Sequence, residues 1–285
     1  MSKVVIETKN LCKTYRSIFS RHEVKALIDL NLEVYQGEIF GLLGPNGSGK
    51  TTTLKILLGL IFPTSGEAYV LGKSPRDVEV KDRIGFLPEE SYLYRFLNAE
   101  ETLDFYGRLF KMPGARRRTK IEHLLNLMEL TEARKRPVKE YSKGMARRLG
   151  FAQAIINDPD IIFLDEPTSG MDPIMSRHIK DIILDLKRQG KTIFLSSHLL
   201  ADVEDVCDRI IILHNGITQK IGAVKDLLTI NDQSMLILKE LSPEAEIRLR
   251  NWTKEQGAEI LVMRHPSETL ENLFLKTIKD KQPTD

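Results

Sequence analysis

Hydrophobic and polar residues alternate along the first part of the chain in a pattern that predicts short β-strands. A strand is predicted at 25–34, and the alternation within it is clearest over residues 28–34. There the apolar set Ile28, Leu30, Leu32 and Val34 alternates with the polar set Asp29, Asn31 and Glu33, with a period of two. This period is typical of a strand with one buried face. A helix is predicted from Lys50 to about Leu58, after a glycine-rich turn. Further short strands are predicted at residues 4–8, 38–43 and 68–71.

Two continuous apolar runs later in the chain predict buried strands. Residues 161–164 and 192–196 flank a helical pattern that covers residues 173–188. Continuous apolar strands joined by a helix are typical of a parallel sheet that is covered on both faces. A final hairpin is predicted over residues 210–220, because the Asn-Gly pair at its centre favours a tight turn.

The middle and the end of the chain differ from this core. Residues 90–157 carry apolar residues at helical spacing with few strand signals, which predicts a helical subdomain. We expect an α/β domain at 1–224, with an antiparallel β-subdomain and a mixed or parallel sheet, and a small α+β extension at 225–285. Within the extension, strands are predicted at 235–238 and 260–263 and helices at 243–256 and 268–279.

Composition and charge exclude several classes of protein. The chain has 285 residues, of which 41% are hydrophobic and 29% charged, as in folded rather than disordered proteins. The net charge of +2 argues against nucleic acid as the main partner. No apolar run approaches the roughly 18–20 residues that span a bilayer. The start of the chain lacks the apolar core of a signal peptide, and the isolated Cys12 and Cys207 favour a reducing compartment.

One segment carries a specific chemical signal. Residues 44–51 match the pattern G-x-x-x-x-G-K-[ST] in full and lie between a predicted strand and a predicted helix. Glycines let the backbone N–H groups face phosphate oxygens, and the helix N-terminus adds positive potential. We expect a P-loop NTPase core in which Lys50 reaches the β- and γ-phosphates of ATP and Thr51 binds Mg²⁺. The predicted ATP-binding residues here are Gly44, Pro45, Asn46, Gly47, Ser48, Gly49, Lys50, Thr51 and Thr52.

A pair of acids at the end of an apolar strand completes the predicted chemistry. Asp165 and Glu166 directly follow the run at 161–164. Asp165 is expected to hold Mg²⁺ through water, and Glu166 is placed to polarise the water that attacks the γ-phosphate. Without the phosphate loop, two acids after an apolar run would indicate no more than a solvated strand end.

Three further residues lie in short motifs before and after the phosphate loop and the acid pair. Tyr15 precedes the loop, Asp172 follows Ser-Gly-Met, and His198 follows an apolar strand. In this order, over residues 4–222, the motifs resemble those of the ATP-binding subunit of an ABC transporter. The resemblance implies that Tyr15 stacks on adenine, that Asp172 lies in the loop meeting a partner subunit, and that His198 senses the γ-phosphate and takes part in catalysis.

The segment at 141–145 resembles the signature of this family, which is usually Leu-Ser-Gly-Gly-Gln. Ser142 and Gly144 keep the family residue types, whereas Lys143 and Met145 depart from them. The serine hydroxyl and the amides at a helix N-terminus are the parts that bind phosphate. Phosphate binding is therefore expected to survive both departures.

Residues 84–89 resemble the loop that joins the catalytic core to the helical subdomain. The glutamine that the family carries there is replaced by Glu89. A carboxylate can still order water on Mg²⁺, although it adds negative charge near the triphosphate. Glu90 is a competing candidate for the same role.

The resemblance also implies how the protein acts. The departures at Lys143, Met145 and Glu89, together with the pattern at 270–275, resemble the branch that serves type-two exporters of drugs, antibiotics, ions or gliding components. Two copies would pack head to tail, each giving Ser142 and Gly144 to the ATP held by the other. ATP hydrolysis would drive a separate membrane permease, with the ATPase on the inner face of the cell membrane.

Some alternatives stay open at this stage. A soluble ATPase of the same type could act on ribosomes or DNA, and a regulator could bind ATP without turnover. The apolar residues within 91–97 fit either a groove for a permease helix or ordinary packing of the helical subdomain. The transported substrate and the role of the extension are not indicated by any motif.

Overall fold

The computed structural model describes residues 3–16, 23–229, 238–258 and 260–261. The predicted helix at 268–279, and most of the predicted strands at 235–238 and 260–263, lie outside these residues. The chain divides into two units, Met1–Leu227 and Leu228–Asp285. The assignment of separate domains to 1–224 and 225–285 stays a prediction.

Three strands form an antiparallel sheet near the start of the chain. They are β1 (Val4–Arg16), β2 (Glu23–Tyr35) and β4 (Ser65–Val70), in the spatial order β2-β1-β4. β1 is longer than the strand predicted at 4–8, because it pairs with β2 as far as Arg16. Several register shifts interrupt this pairing, so the outer half of β1 lacks the regular alternation by which a strand is recognised.

A six-stranded mixed sheet forms the centre of the first unit. Its strands are β3 (Ile39–Leu43), β5 (Ile84–Leu87), β6 (Ile161–Asp165), β7 (Thr192–Ser197), β8 (Arg209–His214) and β9 (Ile217–Ala223). They lie in the order β5-β6-β7-β3-β8-β9. All neighbours run parallel except β8 and β9, which form the predicted hairpin. The α/β class and the mixed sheet are confirmed.

Helices cover this sheet and build the predicted helical block. The helices are α1 (Lys50–Leu57), α2 (Val78–Lys81), α3 (Ala99–Leu109), α4 (Gly114–Leu127), α5 (Lys143–Ala154), α6 (Pro173–Arg188), α7 (Leu200–Val206) and α8 (Val224–Leu228). A further helix, α9 (Pro243–Glu255), belongs to the second unit. The predicted helices at 173–188 and 243–256 correspond to α6 and α9. The short α2, α7 and α8 were not predicted, since one or two turns are too short to show a helical period.

The apolar core lies on both faces of the six-stranded sheet, as continuous apolar strands predicted. On one face Phe40, Phe163 and Phe194 pack against α1 and the antiparallel sheet. The ring of Phe194 lies 5.7 Å from each of the other two rings. On the other face residues such as Leu164 and Leu195 pack against α3–α7. Burial on both faces holds the strands in fixed register.

The predicted burial of Ile28, the first residue of the alternating pattern in β2, is wrong. The alternation placed Ile28 in the buried set, but Ile28 is exposed and Leu27 is buried. Asp29 adopts a left-handed backbone with φ of 53°, and the strand is irregular there. An irregularity of one residue transfers the following side chains to the opposite face. Leu30, beyond this point, is buried as predicted.

The segment at 84–89 is also corrected by the structure. It was predicted as a joining loop, but its first four residues form β5, which pairs in parallel with β6. Four residues are too few to show a strand period in the sequence. The loop that follows the strand therefore begins at Pro88.

Candidate active site

Four adjacent parallel strands bring the predicted motifs to one edge of the sheet. β5, β6, β7 and β3 lie side by side in that order. Glu89, Glu166, His198 and Gly44 each follow the carboxyl end of one of these strands. Because parallel strands end at the same edge, residues far apart in sequence meet there, and this edge is where open α/β sheets bind ligands.

Glycines bring the loop after β3 close to neighbouring backbone. A Cβ atom on Gly44 would lie 2.3 Å from the carbonyl oxygen of Leu213. Gly49, which precedes α1, has φ of 110°, and a Cβ atom there would lie 2.6 Å from the carbonyl oxygen of Ala26. Side chains at these two positions would clash, so the glycines allow the loop to lie against β8 and β2.

Polar groups of this loop suit a bound anion. The Nζ of Lys50, which is 7% exposed, donates to the carbonyl oxygens of Gly44 at 2.7 Å and Pro45 at 3.2 Å. The Oγ of Ser48 is buried and has no hydrogen-bond partner in the described part of the chain. A buried cation and an unused hydroxyl at a helix N-terminus fit a phosphate group. The more accessible members of the segment are Gly44, Pro45, Asn46, Gly47, Thr51 and Thr52.

Asp165 ends β6 and is 4% exposed. The hydroxyl of Ser196, its neighbour on β7, donates to Asp165 Oδ1. Burial raises the pKa of Asp165 above its ordinary value, and the hydrogen bond from Ser196 offsets part of this effect. A carboxylate removed from water in this way is stabilised by a nearby cation.

Glu166 and His198 form a pair beside Asp165. The Oε2 of Glu166 lies 2.8 Å from the Nδ1 of His198. Glu166 is 6% exposed, whereas His198 is exposed. Glu166 has a left-handed backbone with φ of 53°, and its N–H donates to the carbonyl oxygen of Ser196 at 3.1 Å. Non-glycine residues in this conformation concentrate at functional sites. The carboxylate is thus fixed at the same sheet edge as the phosphate loop, with β7 between the two strands that precede them.

Comparison with known proteins agrees with this geometry. Residues 27–169 match the family model described as ABC transporter. An ABC transporter ATP-binding protein of Synechocystis is 46% identical over 256 residues, which cover 88% of this chain and 72% of that protein. The chain belongs to the ABC transporter family. It is an ATP-binding and ATP-hydrolysing subunit of a transporter.

Other relatives and structures extend the similarity. An ABC transporter ATP-binding protein of Methanocaldococcus jannaschii is 38% identical over 96% of this chain and 99% of its own length. A fluoroquinolones export ATP-binding protein of Mycobacterium tuberculosis is 43% identical over 67% of this chain and 63% of its own length. A dimeric ATP-binding cassette in a post-hydrolysis state, bound to ADP and Pi, matches with a TM-score of 0.71. It is 29% identical and covers 77% of this chain and 98% of that structure.

The family match does not reach every predicted site residue of this ATPase. Residues 27–169 include the phosphate loop, the acid pair and the segment at 141–145, but not Tyr15, Asp172 or His198. None of the helices in the described ranges is both long enough and apolar enough to cross a membrane. The roles of the individual residues stay predictions.

The structure distinguishes between Glu89 and Glu90. Both are exposed on the loop after β5. The charge of Glu89 acts on Asp165 and contributes to the rise in the pKa of that carboxyl. Glu90 instead accepts a hydrogen bond of 3.4 Å from the hydroxyl of Tyr92. Glu89 therefore lies nearer the acid pair, which supports it for the role of the family glutamine.

The signature segment begins α5. Ser142 is the N-cap, and its Oγ accepts a hydrogen bond of 3.2 Å from the N–H of Met145. Ser142 and Lys143 are exposed, while Gly144 and Met145 are half-buried. The Lys143 side chain lies over Gly170, where a Cβ atom would be 3.3 Å from the Lys143 Nζ. The start of α5 is thus accessible, as a site for a second molecule requires.

Asp172 and Tyr15 have additional structural contacts. Asp172 is the N-cap of α6 and accepts a hydrogen bond of 2.9 Å from the N–H of Met175. Capping therefore coexists with the predicted place of Asp172 in an interface loop. Tyr15 is exposed near the end of β1, with the Lys13 ammonium 5.1 Å from its ring centre. It pairs with Val24 of β2, the strand that lies against the phosphate loop.

Sequence reasoning missed a buried arginine at this site. Arg147, on α5, is 4% exposed, and its guanidinium donates to backbone carbonyls of the Pro88–Glu89 loop and of Asp165–Glu166. A usable signal was present in the sequence: Arg147 lies four residues before Phe151 and so falls on the apolar face of α5.

A second missed network links α6 and α7 to the loop after Glu166. The hydroxyl of Thr168 donates to Asp202 of α7 at 2.5 Å. Lys180 of α6, which is 3% exposed, lies 3.3 Å from Asp202 and 2.7 Å from Asp205. These contacts join the loop before Asp172 to the helix after His198. No local motif predicts them, since the three segments are far apart in sequence.

Proposed function

We propose that two copies of this ATPase pack head to tail around two molecules of Mg²⁺-ATP and drive a membrane permease that exports its substrate. The observation that carries the proposal is the Glu166–His198 pair, 2.8 Å apart, fixed on the strand edge that also carries the phosphate loop. The accessible Ser142 at the N-terminus of α5 supports a second phosphate contact, supplied to the partner copy. The dimeric state of a similar solved cassette agrees with this arrangement.

The residues of one chain divide the chemistry of hydrolysis among them. Lys50 and the amides of the loop bind the β- and γ-phosphates, and Tyr15 stacks on the adenine. Glu166 accepts a proton from the water that attacks the γ-phosphorus, and ADP leaves with the electrons of the broken P–O bond. His198 holds the Glu166 carboxylate and contacts the γ-phosphate.

Three side chains are proposed to hold Mg²⁺, directly or through water. They are Thr51 at the start of α1, Asp165 at the end of β6, and Glu89 on the loop after β5. The oxygen donors fit a hard cation, which prefers carboxylates, hydroxyls and phosphates. When bound, Mg²⁺ neutralises charge that develops on the phosphate oxygens. The raised pKa of Asp165 reflects a site that favours such a cation.

An apolar depression beside β5 supports a permease contact. A cavity of about 310 Å³ is lined by side chains that include Phe86, Tyr92, Tyr106 and Phe110. Tyr92 is 82% exposed, which favours the interpretation of residues 91–97 as a docking surface, although Leu93 packs against the core. A permease helix seated there would hold the ATPase at the cytoplasmic face of the membrane. Export is proposed from the fluoroquinolone-export relative.

Substitution of Glu166 by Gln tests the dimer. We expect Glu166→Gln to keep ATP affinity, to lose turnover by at least about 100-fold, and to accumulate a dimer in Mg²⁺-ATP, as measured by light scattering. The double variant Lys50→Ala, Glu166→Gln is the control and is expected to stay monomeric. Turnover at the wild-type rate, or a Glu166→Gln protein that stays monomeric in saturating ATP, would contradict the proposal.

A further inference from the structure

Arg147 connects three parts of the active site that are separate in sequence. It lies on the first turns of α5, five residues after the N-cap Ser142. One terminal nitrogen donates to the carbonyl oxygens of Pro88 and, at 2.6 Å, Glu89. The other donates to the carbonyl oxygens of Asp165 and, at 2.7 Å, Glu166. A single side chain therefore joins α5 to both loops that carry the proposed metal-binding and catalytic carboxylates.

The guanidinium of Arg147 is buried among charged groups. Burial lowers the pKa of Arg147 to about 10, although the nearby charges of Asp165, Glu89 and Glu166 act in the opposite direction. Its Nε is buried and lacks a hydrogen-bond partner among the described residues. The charge is stabilised by the dipoles of four backbone carbonyls and by the carboxylates of Asp165, Glu89 and Glu166, which requires both loops to hold their positions.

The next residue provides a natural comparison. Arg148 is on the same helix, and its side chain is 14% exposed. It donates to the carbonyl oxygens of Met128 at 2.7 Å and Glu129 at 3.1 Å. Both acceptors belong to the helical block, at the end of α4. Arg147 and Arg148 thus both donate hydrogen bonds to backbone carbonyls, but of the two only Arg147 contacts the loops that follow β5 and β6.

We propose that Arg147 is a positioning residue that couples the placement of α5 to the backbone carrying Glu89 and Glu166, so that contact of the signature segment with ATP sets both carboxylates for hydrolysis. This rests on the proposed roles of Ser142, Glu89 and Glu166. A movement of α5 by the partner's nucleotide is transmitted through the two arms of one rigid, planar group.

Lysine cannot replace this geometry. Its ammonium keeps the charge and much of the length, but it has a single donor nitrogen, whereas Arg147 uses two separate nitrogens for the two loops. Arg147→Lys is therefore expected to hold one loop and release the other. A misplacement of about 1 Å in a reacting group can reduce a rate about 100-fold. Binding of ATP should change little, because Arg147 does not contact the phosphate loop.

The test compares Arg147→Lys with Arg148→Lys in the full chain. We expect kcat of Arg147→Lys to fall about 100-fold while KM for ATP stays within about three-fold, and the Mg²⁺ concentration for half-maximal rate to rise. Arg148→Lys is expected to keep kcat within about three-fold of the wild type. The two variants are expected to change Tm by similar amounts. Should Arg147→Lys fail to fold, Arg147→Gln, which removes the buried charge, takes its place in the same comparison.

Two outcomes would overturn the inference. One is a wild-type kcat in the Arg147 variant. The other is an equal loss of kcat in the Arg147 and Arg148 variants, since that would show a general structural role for α5. Glu166→Gln, assayed in parallel, separates a failure of the proposed function from a failure of the coupling role of Arg147. An active Glu166→Gln protein refutes the proposed function, whereas an inactive one beside an active Arg147→Lys refutes only the coupling by Arg147.

Discussion

At the scale of single residues, the phosphate loop depends on one buried cation. Lys50 lies at the N-terminus of α1 and is held by two loop carbonyls. We expect Lys50→Ala to weaken ATP binding about 10- to 100-fold, the loss of one charge-assisted hydrogen bond to phosphate. Lys55→Ala, an exposed lysine on the same helix, is the control. Equilibrium binding of ATP measures both, and an unchanged affinity of Lys50→Ala would contradict the assignment.

Asp165 predicts a pH dependence of stability. Burial raises the pKa of this carboxyl in the folded state, so the ionised form destabilises the fold. The cost is fully present above the raised pKa and disappears below the unfolded pKa of about 3.9. Without nucleotide or Mg²⁺, Asp165→Asn should therefore have a higher Tm than the wild type near neutral pH. The difference should shrink as the solution is acidified.

A second aspartate supplies a control of opposite sign. A hydrogen bond from Lys191 lowers the pKa of Asp158. Its stabilising contribution is present above the unfolded pKa and is lost as the pH falls through the lowered value. Asp158→Asn should thus lower Tm near neutral pH, and again by less in acid. Thermal melts of both variants from about pH 8 to about pH 2, which extends below the unfolded pKa of an aspartate, test both expectations. Equal shifts of the same sign would show the account to be wrong.

At the scale of elements, helix caps separate structural from catalytic roles. Ser142 caps α5, and Asn98 caps α3 through a capping box with Glu101. Ser142→Ala and Asn98→Ala should each cost about 1 kcal/mol of stability, measurable by denaturant unfolding. Only Ser142→Ala should also slow ATP turnover, since its hydroxyl is proposed to bind a phosphate. If both variants reduced turnover equally, the effect would belong to the helical block as a whole.

At the scale of the whole molecule, the core of the catalytic unit lies in the first part of the chain. The buried hydrophobic residues that the structure describes run from Val5 to Val224. A chain ending at Thr229 should therefore fold and bind ATP with an affinity within about three-fold of the full chain, because it retains this core. Circular dichroism and ATP titration test this. A truncated chain without a cooperative melt would show that the extension is part of the fold.

The sequence alone determined the local chemistry of this protein. The phosphate loop is one contiguous segment whose curled backbone needs glycines at set positions, so its presence and its place between β3 and α1 could be predicted without any tertiary contact. The acid pair at Asp165 and Glu166 was located in the same way, from the buried strand that precedes it. Long-range register did not matter for either.

Only the tertiary structure decided which distant residues act together. It assigned residues 84–87 to a strand, moved Ile28 to the surface, placed Glu89 rather than Glu90 near Asp165, and brought Arg147 to the carbonyls of two loops. These outcomes depend on the order of parallel strands and on the seating of α5. Contacts between residues dozens of positions apart are set by packing on both faces of a sheet, which leaves no period or motif in the sequence.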